Sequence, residues 1–181
     1  MKCVIWLALA GLLFADGGEY ASAKRKLDLI DSDRLRPGSR LDLTLAELNA
    51  YAAGQAPPGV RNTSIRIPAP GEATGRATID FLKLRRGQGY QPGWLMSKLL
   101  DGERPVSVTA RLHSSAGYAT VDVEQVTISG VTIDGRTLDF LIQDVLLPLY
   151  PDAVVGQPFE LGHRIQSIDL TPAGMTVRLK P

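Results

Sequence analysis

His113 and His163 are the only imidazoles in the 181-residue chain. They lie far apart in sequence and do not pair with each other at helical or hairpin spacing, so the pattern predicts no metal centre. Strand alternation puts His113 on a solvent-facing side with Ser107, Thr109 and Arg111, and His163 follows Gly162 in a loop. Ser114 adjoins His113, but no Gly-x-Ser-x-Gly elbow occurs and Ser is ordinary turn chemistry there. Asp122 and Glu124 lie two apart, which on a strand gives one face. That spacing suits a general acid and base, but such a pair on an exposed face is usually two solvated carboxylates. No Gly-x-Gly-x-x-Gly or phosphate loop is present, and Gly87-Gln88-Gly89 reads as a loop tip. The expectation is a chain with no catalytic residue, no metal and no cofactor.

Two other groupings carry physical content. Lys83, Arg85 and Arg86 precede Tyr90, Trp94 and Lys98. Basic residues beside interfacial aromatics suit docking on an anionic membrane surface, but the commoner arrangement for such a cluster is a short helix anchored over a sheet by Trp94 and Tyr90 with its charges in water. The second grouping is apolar. From Thr137 to about Leu147 the sequence holds Leu138, Phe140, Leu141, Ile142, Val145, Leu146 and Leu147, with Asp139, Gln143 and Asp144 as its polar stripe. A helix this apolar must be covered on most sides. With Leu95 and Leu99, residues Leu138, Leu141, Ile142, Val145 and Leu146 would line a groove for a lipid or another apolar ligand, or simply make the core.

The address of the chain is set near its start. Lys2 precedes the 12-residue apolar run Val4–Ala15, Gly17-Gly18 break it, and Ala21-Ser22-Ala23 offers a small-residue cleavage site before Lys24. The run is too short to cross about 30 Å of hydrocarbon as a helix. The reading is a signal peptide over residues 1–23 and one domain over 24–181, exported to the periplasm or outside the cell. One feature opposes it: Lys24, Arg25 and Lys26 lie just past the cut, where positive charge resists translocation. Removing Lys2, Asp16 and Glu19 with the leader leaves 19 basic and 17 acidic residues, a balance that gives no support for nucleic acid as a partner. Cys3, the single cysteine, goes with the leader, so neither a disulfide nor a thiol contributes. Asn62-Thr63-Ser64 matches a glycosylation acceptor, relevant only in a glycosylating compartment.

The remaining chain alternates. Leu27 and Leu29 would open a strand; Thr44 and Glu47 form a capping box and Leu43 and Leu48 a hydrophobic staple for a helix from Leu45 to about Ala53, stopped by Gly54. Ile65 and Ile67 mark a strand, as do Ala77, Ile79 and Phe81. Val106 to Leu112 and Ala119 to Val123 make a hairpin across Ser114–Gly117. A second helix spans Pro92–Leu100. Ile165 to Leu170 and Met175 to Leu179 form a terminal hairpin around Pro172-Ala173-Gly174, and Arg178 and Lys180 make its last strand a candidate exposed edge. The near-repeat Val126–Gly130 and Val131–Gly135 reads as one strand kinked at Gly130.

The order of Leu-Thr-Leu-Ala-Glu-Leu-Asn, alternating strands, Gly-Val-Thr-Ile-Asp-Gly, an apolar helix, Phe159-Glu160-Leu161 and the terminal hairpin covers residues 41–180. It resembles small exported bacterial proteins of the tubular lipid-binding (TULIP-like) and AsmA-like group. The resemblance implies lipid binding or transport without catalysis, in a groove between a curved sheet and a helix. The short helices and Pro148 depart from a long enclosed tunnel. The expected class is α+β: a strongly curved antiparallel sheet of about six to eight strands on two or three short helices, one of them apolar and central. The alternative to a lipid-handling protein is an envelope scaffold or adaptor that binds another protein through a strand edge.

Overall fold

The computed structural model describes residues 5–81, 102–143 and 154–181. Within them the class is α+β with antiparallel sheets. The elements are α1 (Ile5–Asp31), β1 (Arg40–Thr44), α2 (Leu45–Gly54), β2 (Val60–Ala69), β3 (Glu72–Asp80), β4 (Glu103–Ser115), β5 (Tyr118–Ile128), β6 (Val131–Ile133), α3 (Gly135–Leu141), β7 (Phe159–Glu160), β8 (Ile165–Thr171) and β9 (Gly174–Leu179). Two sheets form, not the expected one: a three-stranded sheet in the order β1-β9-β8, and a six-stranded sheet in the order β2-β3-β4-β5-β6 with β7 beside β5.

The capping box at Thr44 is present in full. Thr44 Oγ1 accepts the Glu47 N–H at 3.1 Å, and the Glu47 carboxylate accepts the Thr44 N–H at 2.8 Å. These bonds satisfy donors that every helix N-terminus leaves open. Leu27 and Leu29 do not open a strand. They belong to α1, because Ala23, Leu27 and Ile30 recur at helical spacing and face one side. Ala23 and Ile30 are buried, and Ile30 joins Ile165, Val177 and Leu179 in the core beneath the small sheet, with Leu27, Leu35 and Leu41 packed against it.

The repeat is a hairpin rather than a kinked strand. Ser129 and Gly130 both take positive φ, 52° and 83°, and the two copies pair with each other, Val126 with Ile133 and Ile128 with Val131. Two consecutive left-handed residues make the two-residue turn whose twist matches that of paired strands. Ala116 and Gly117 close β4–β5 in the same way. The change of phase after Val123 has a cause in register: Thr109 faces Gln125 and Ala110 faces Val123, so Glu124 is a bulge residue. The bulge keeps Val121, Val123, Val126 and Ile128 on one side.

The terminal hairpin forms, but β9 is not an edge. It lies between β1 and β8, with Leu41 opposite Val177 and Ile168 opposite Val177 from the other side. Gly174, at φ 143°, closes this sheet against β1; a Cβ there would collide with the Leu43 carbonyl oxygen. The apolar segment after Gly135 starts its helix two residues before the expected Thr137 and is described only as far as Gln143. The expected Pro92–Leu100 helix lies outside the described residues.

Candidate functional site

The six-stranded sheet is two-sided by simple alternation. One row across five strands reads Ile65, Gly75, Val108, Val126, Ile133; the adjacent row reads Ser64, Arg76, Ser107, Thr127, Thr132 and faces the other way. On the apolar side Val126, Ile128 and Leu138 are buried together, and Val106, Val108, Val123, Ile133 and Ile142 pack against them while keeping partial exposure. Leu138 reaches this face because α3 follows β6 almost directly, its first turn started by the Leu138 N–H to Asp134 carbonyl bond of 3.2 Å.

Of the expected groove residues, the structure therefore brings Leu138 and Ile142 onto the sheet. Leu141 ends α3, and its side chain lies outside the description. Leu95, Leu99, Val145 and Leu146 lie outside the described residues, as do the expected membrane-docking residues Lys83, Arg85, Arg86, Tyr90 and Trp94.

The polar side carries an open groove of ≈ 320 Å³ lined by Asn62, Ser64, Arg76, Thr78, Ser107 and Thr127, among others. A second hollow, ≈ 460 Å³, lies at the β4–β5 turn beside His113, Ser115, Tyr118 and Pro158. Tyr118 is among the most exposed large apolar side chains described, at 55 %.

Residues with chemical potential are mostly committed to structure. Ser114 Oγ donates to the Ile168 carbonyl at 2.6 Å and accepts the Ile168 N–H at 2.7 Å, so its proton and one of its two lone pairs are committed to joining β4 to β8. Glu124 pairs with Arg111 at 3.0 Å, and Arg111 also approaches Glu72 at 3.5 Å. Glu124 is thus an ion-pair partner of Arg111. His113 is exposed, and His163 Nδ1 lies 3.9 Å from Asp33 Oδ1 at the surface. Among the described residues, no three His, Cys, Asp or Glu side chains gather as a metal site.

Among the described residues the most perturbed group is one whose second role the capping motif does not reveal. Glu47 is 3 % exposed. Burial pushes its carboxyl pKa up, but hydrogen bonds from Lys26, Ser22 and the Thr44 backbone overcome this and hold it at about 2. Lys26 Nζ lies 2.7 Å from the carboxylate and Ser22 Oγ donates to it at 2.6 Å. Ser22 and Lys26 are four residues apart on α1, hence on one face; that spacing was the available signal. The cluster ties α1 to α2 and is structural.

Comparison with protein-family models, curated proteins and solved structures finds no match for this chain.

Proposed function

We propose that this is a non-catalytic, exported protein of the cell envelope that binds or helps transport a lipid or other apolar ligand. The ligand lies between the apolar face of the six-stranded sheet and the helical segment that starts at α3. One observation carries the reading: Val106, Val108, Val123 and Ile133 retain exposure around a buried Val126–Ile128–Leu138 centre, so the apolar face extends beyond the area that Leu138 and Ile142 occupy. A ligand held by such a surface needs few polar landmarks. In this reading the segment after Leu141 continues as an apolar central helix and the sheet curves strongly around it, in the manner of the TULIP-like and AsmA-like group. The basic and aromatic cluster Lys83, Arg85, Arg86, Tyr90 and Trp94 would then bring the groove to an anionic bilayer.

The adaptor reading has less support, because β9, its candidate edge strand, is interior to its sheet. The test is extraction of the purified protein with organic solvent followed by mass spectrometry. Stoichiometric lipid is expected, together with its loss from a folded Ile133→Asp variant. A lipid-free parent that also fails to take phospholipid from vesicles of phosphatidylglycerol and phosphatidylethanolamine overturns the proposal.

A further inference from the structure

The contacts that fasten α1 to the rest of the fold include several just past Gly18. Positions 17 and 18 have open space around them. From Tyr20 onward the helix is fastened to α2. The Tyr20 ring stacks on Tyr51 with centroids 6.0 Å apart and planes at 17°, and its hydroxyl accepts from Gln55 Nε2 at 3.1 Å. Gly54 makes room for that ring, since a Cβ there would collide with it. Two residues on, Ser22 donates to the buried Glu47, and Ala23 has no exposed surface at all. A leader cut between Ala23 and Lys24 would delete Tyr20, Ser22 and Ala23 from the folded protein. Tyr51 would lose its stacking partner, and Glu47 one of the three groups that stabilise its charge.

We infer that the mature protein keeps this segment and that leader processing falls before Tyr20, at the Gly17–Gly18 bond. The inference rests on the export part of the proposed function. Ala15 and Gly17 supply the two small residues, separated by one position, that a leader peptidase accepts, at the end of the apolar run Val4–Ala15. Water adds across the Gly17–Gly18 bond, leaving a carboxylate on Gly17 and an ammonium on Gly18. This placement also separates the cut from Lys24, Arg25 and Lys26, which abut it in the alternative. The Ala21-Ser22-Ala23 triplet is then small for a packing reason: Ala23 sits where α1 meets the core and Ser22 where it meets Glu47.

The test expresses the full chain and reads the intact mass and N-terminal sequence of the exported protein. A start at Gly18 is expected. A start at Lys24 overturns this inference and leaves export standing, whereas an unprocessed chain retained in the cytoplasm overturns both. A second measurement uses Tyr20→Ala in the full-length precursor. Because Tyr20 is retained, the exported variant melts lower, by about 2–6 °C for a domain of this size. An unchanged melting temperature overturns the inference, since a residue removed with the leader cannot alter the mature fold.

Discussion

Ser114 serves Ile168 as a neighbouring strand would. Its hydroxyl donates to the Ile168 carbonyl and accepts the Ile168 N–H, at 2.6 and 2.7 Å. On either side, Gly117 donates to the Gln166 carbonyl at 2.8 Å and Gly71 to the Leu170 carbonyl at 3.0 Å. Alternate positions along the outer edge of β8 are thus satisfied by turns of the larger sheet, and the two sheets are joined edge to tip. Asn49 treats β2 similarly: its Nδ2 donates to the Ile65 carbonyl at 3.0 Å and its Oδ1 accepts the Ile65 N–H at 2.7 Å. Lys26 reaches the β1 edge at the Asp42 carbonyl, 2.8 Å away.

Ser114→Ala leaves both Ile168 groups without this partner in a partly buried seam. The expected loss is about 1–3 kcal/mol. Urea denaturation should show a lower midpoint with an unchanged slope, as for a change in stability without a change in the surface exposed on unfolding.

Asn49→Ala removes the Ile65 bonds and the 2.8 Å bond from Asn49 Nδ2 to the Leu45 carbonyl. Amide exchange at Ile65 should accelerate strongly while the Val108 amide, inside the larger sheet, keeps its protection. Such local opening is expected where a single side chain closes an edge.

Glu47 gives a pH dependence of definite sign. Its folded pKa of about 2 lies below the ordinary carboxylate value of 4.5. The stabilisation is therefore complete above the unfolded value and is lost as pH falls through the folded one, a span worth roughly 3 kcal/mol. Glu47→Gln should lower stability at pH 7 and flatten the melting-temperature curve between about pH 5 and pH 2.

Gly174→Ala should be among the most damaging single substitutions. The left-handed backbone alone costs about 1–3 kcal/mol for a residue with a side chain. The contact with the Leu43 carbonyl adds to this by forcing β1 away from β9. Thermal melting of the purified variant measures the sum, and retained parental stability would show that the hairpin relaxes there.

What was legible in the sequence was local. Thr44 and Glu47 announced a helix start because a capping box is complete within four residues. The β4–β5 hairpin was readable because both strands alternate and the turn holds a glycine. The reading failed where the deciding partner is distant. Leu27 and Leu29 look like strand residues until Ile30 is seen to meet Val177 and Leu179. Nothing near Met175–Leu179 reveals that β1 pairs on one side of it and β8 on the other. Gly130 signalled a break, but only the positive φ of Ser129 made it a reversal. On the apolar face of the larger sheet, Leu138 and Ile142 stand out in the sequence by apolar density. Val106, Val108 and Ile133 look like ordinary strand residues, and only their register across the sheet places them beside the buried Val126–Ile128–Leu138 cluster.

The pairing of β1 with β9 also constrains the order in which the protein can acquire its shape. β1 begins at Arg40, and the strand it pairs with ends at Leu179. Contacts so distant along the chain form late and slowly. A polypeptide threading through a narrow conduit from its N-terminus would hold β1 unpaired until the C-terminal hairpin had emerged. The smaller sheet can therefore close only once the whole chain is available, whatever route the chain then takes.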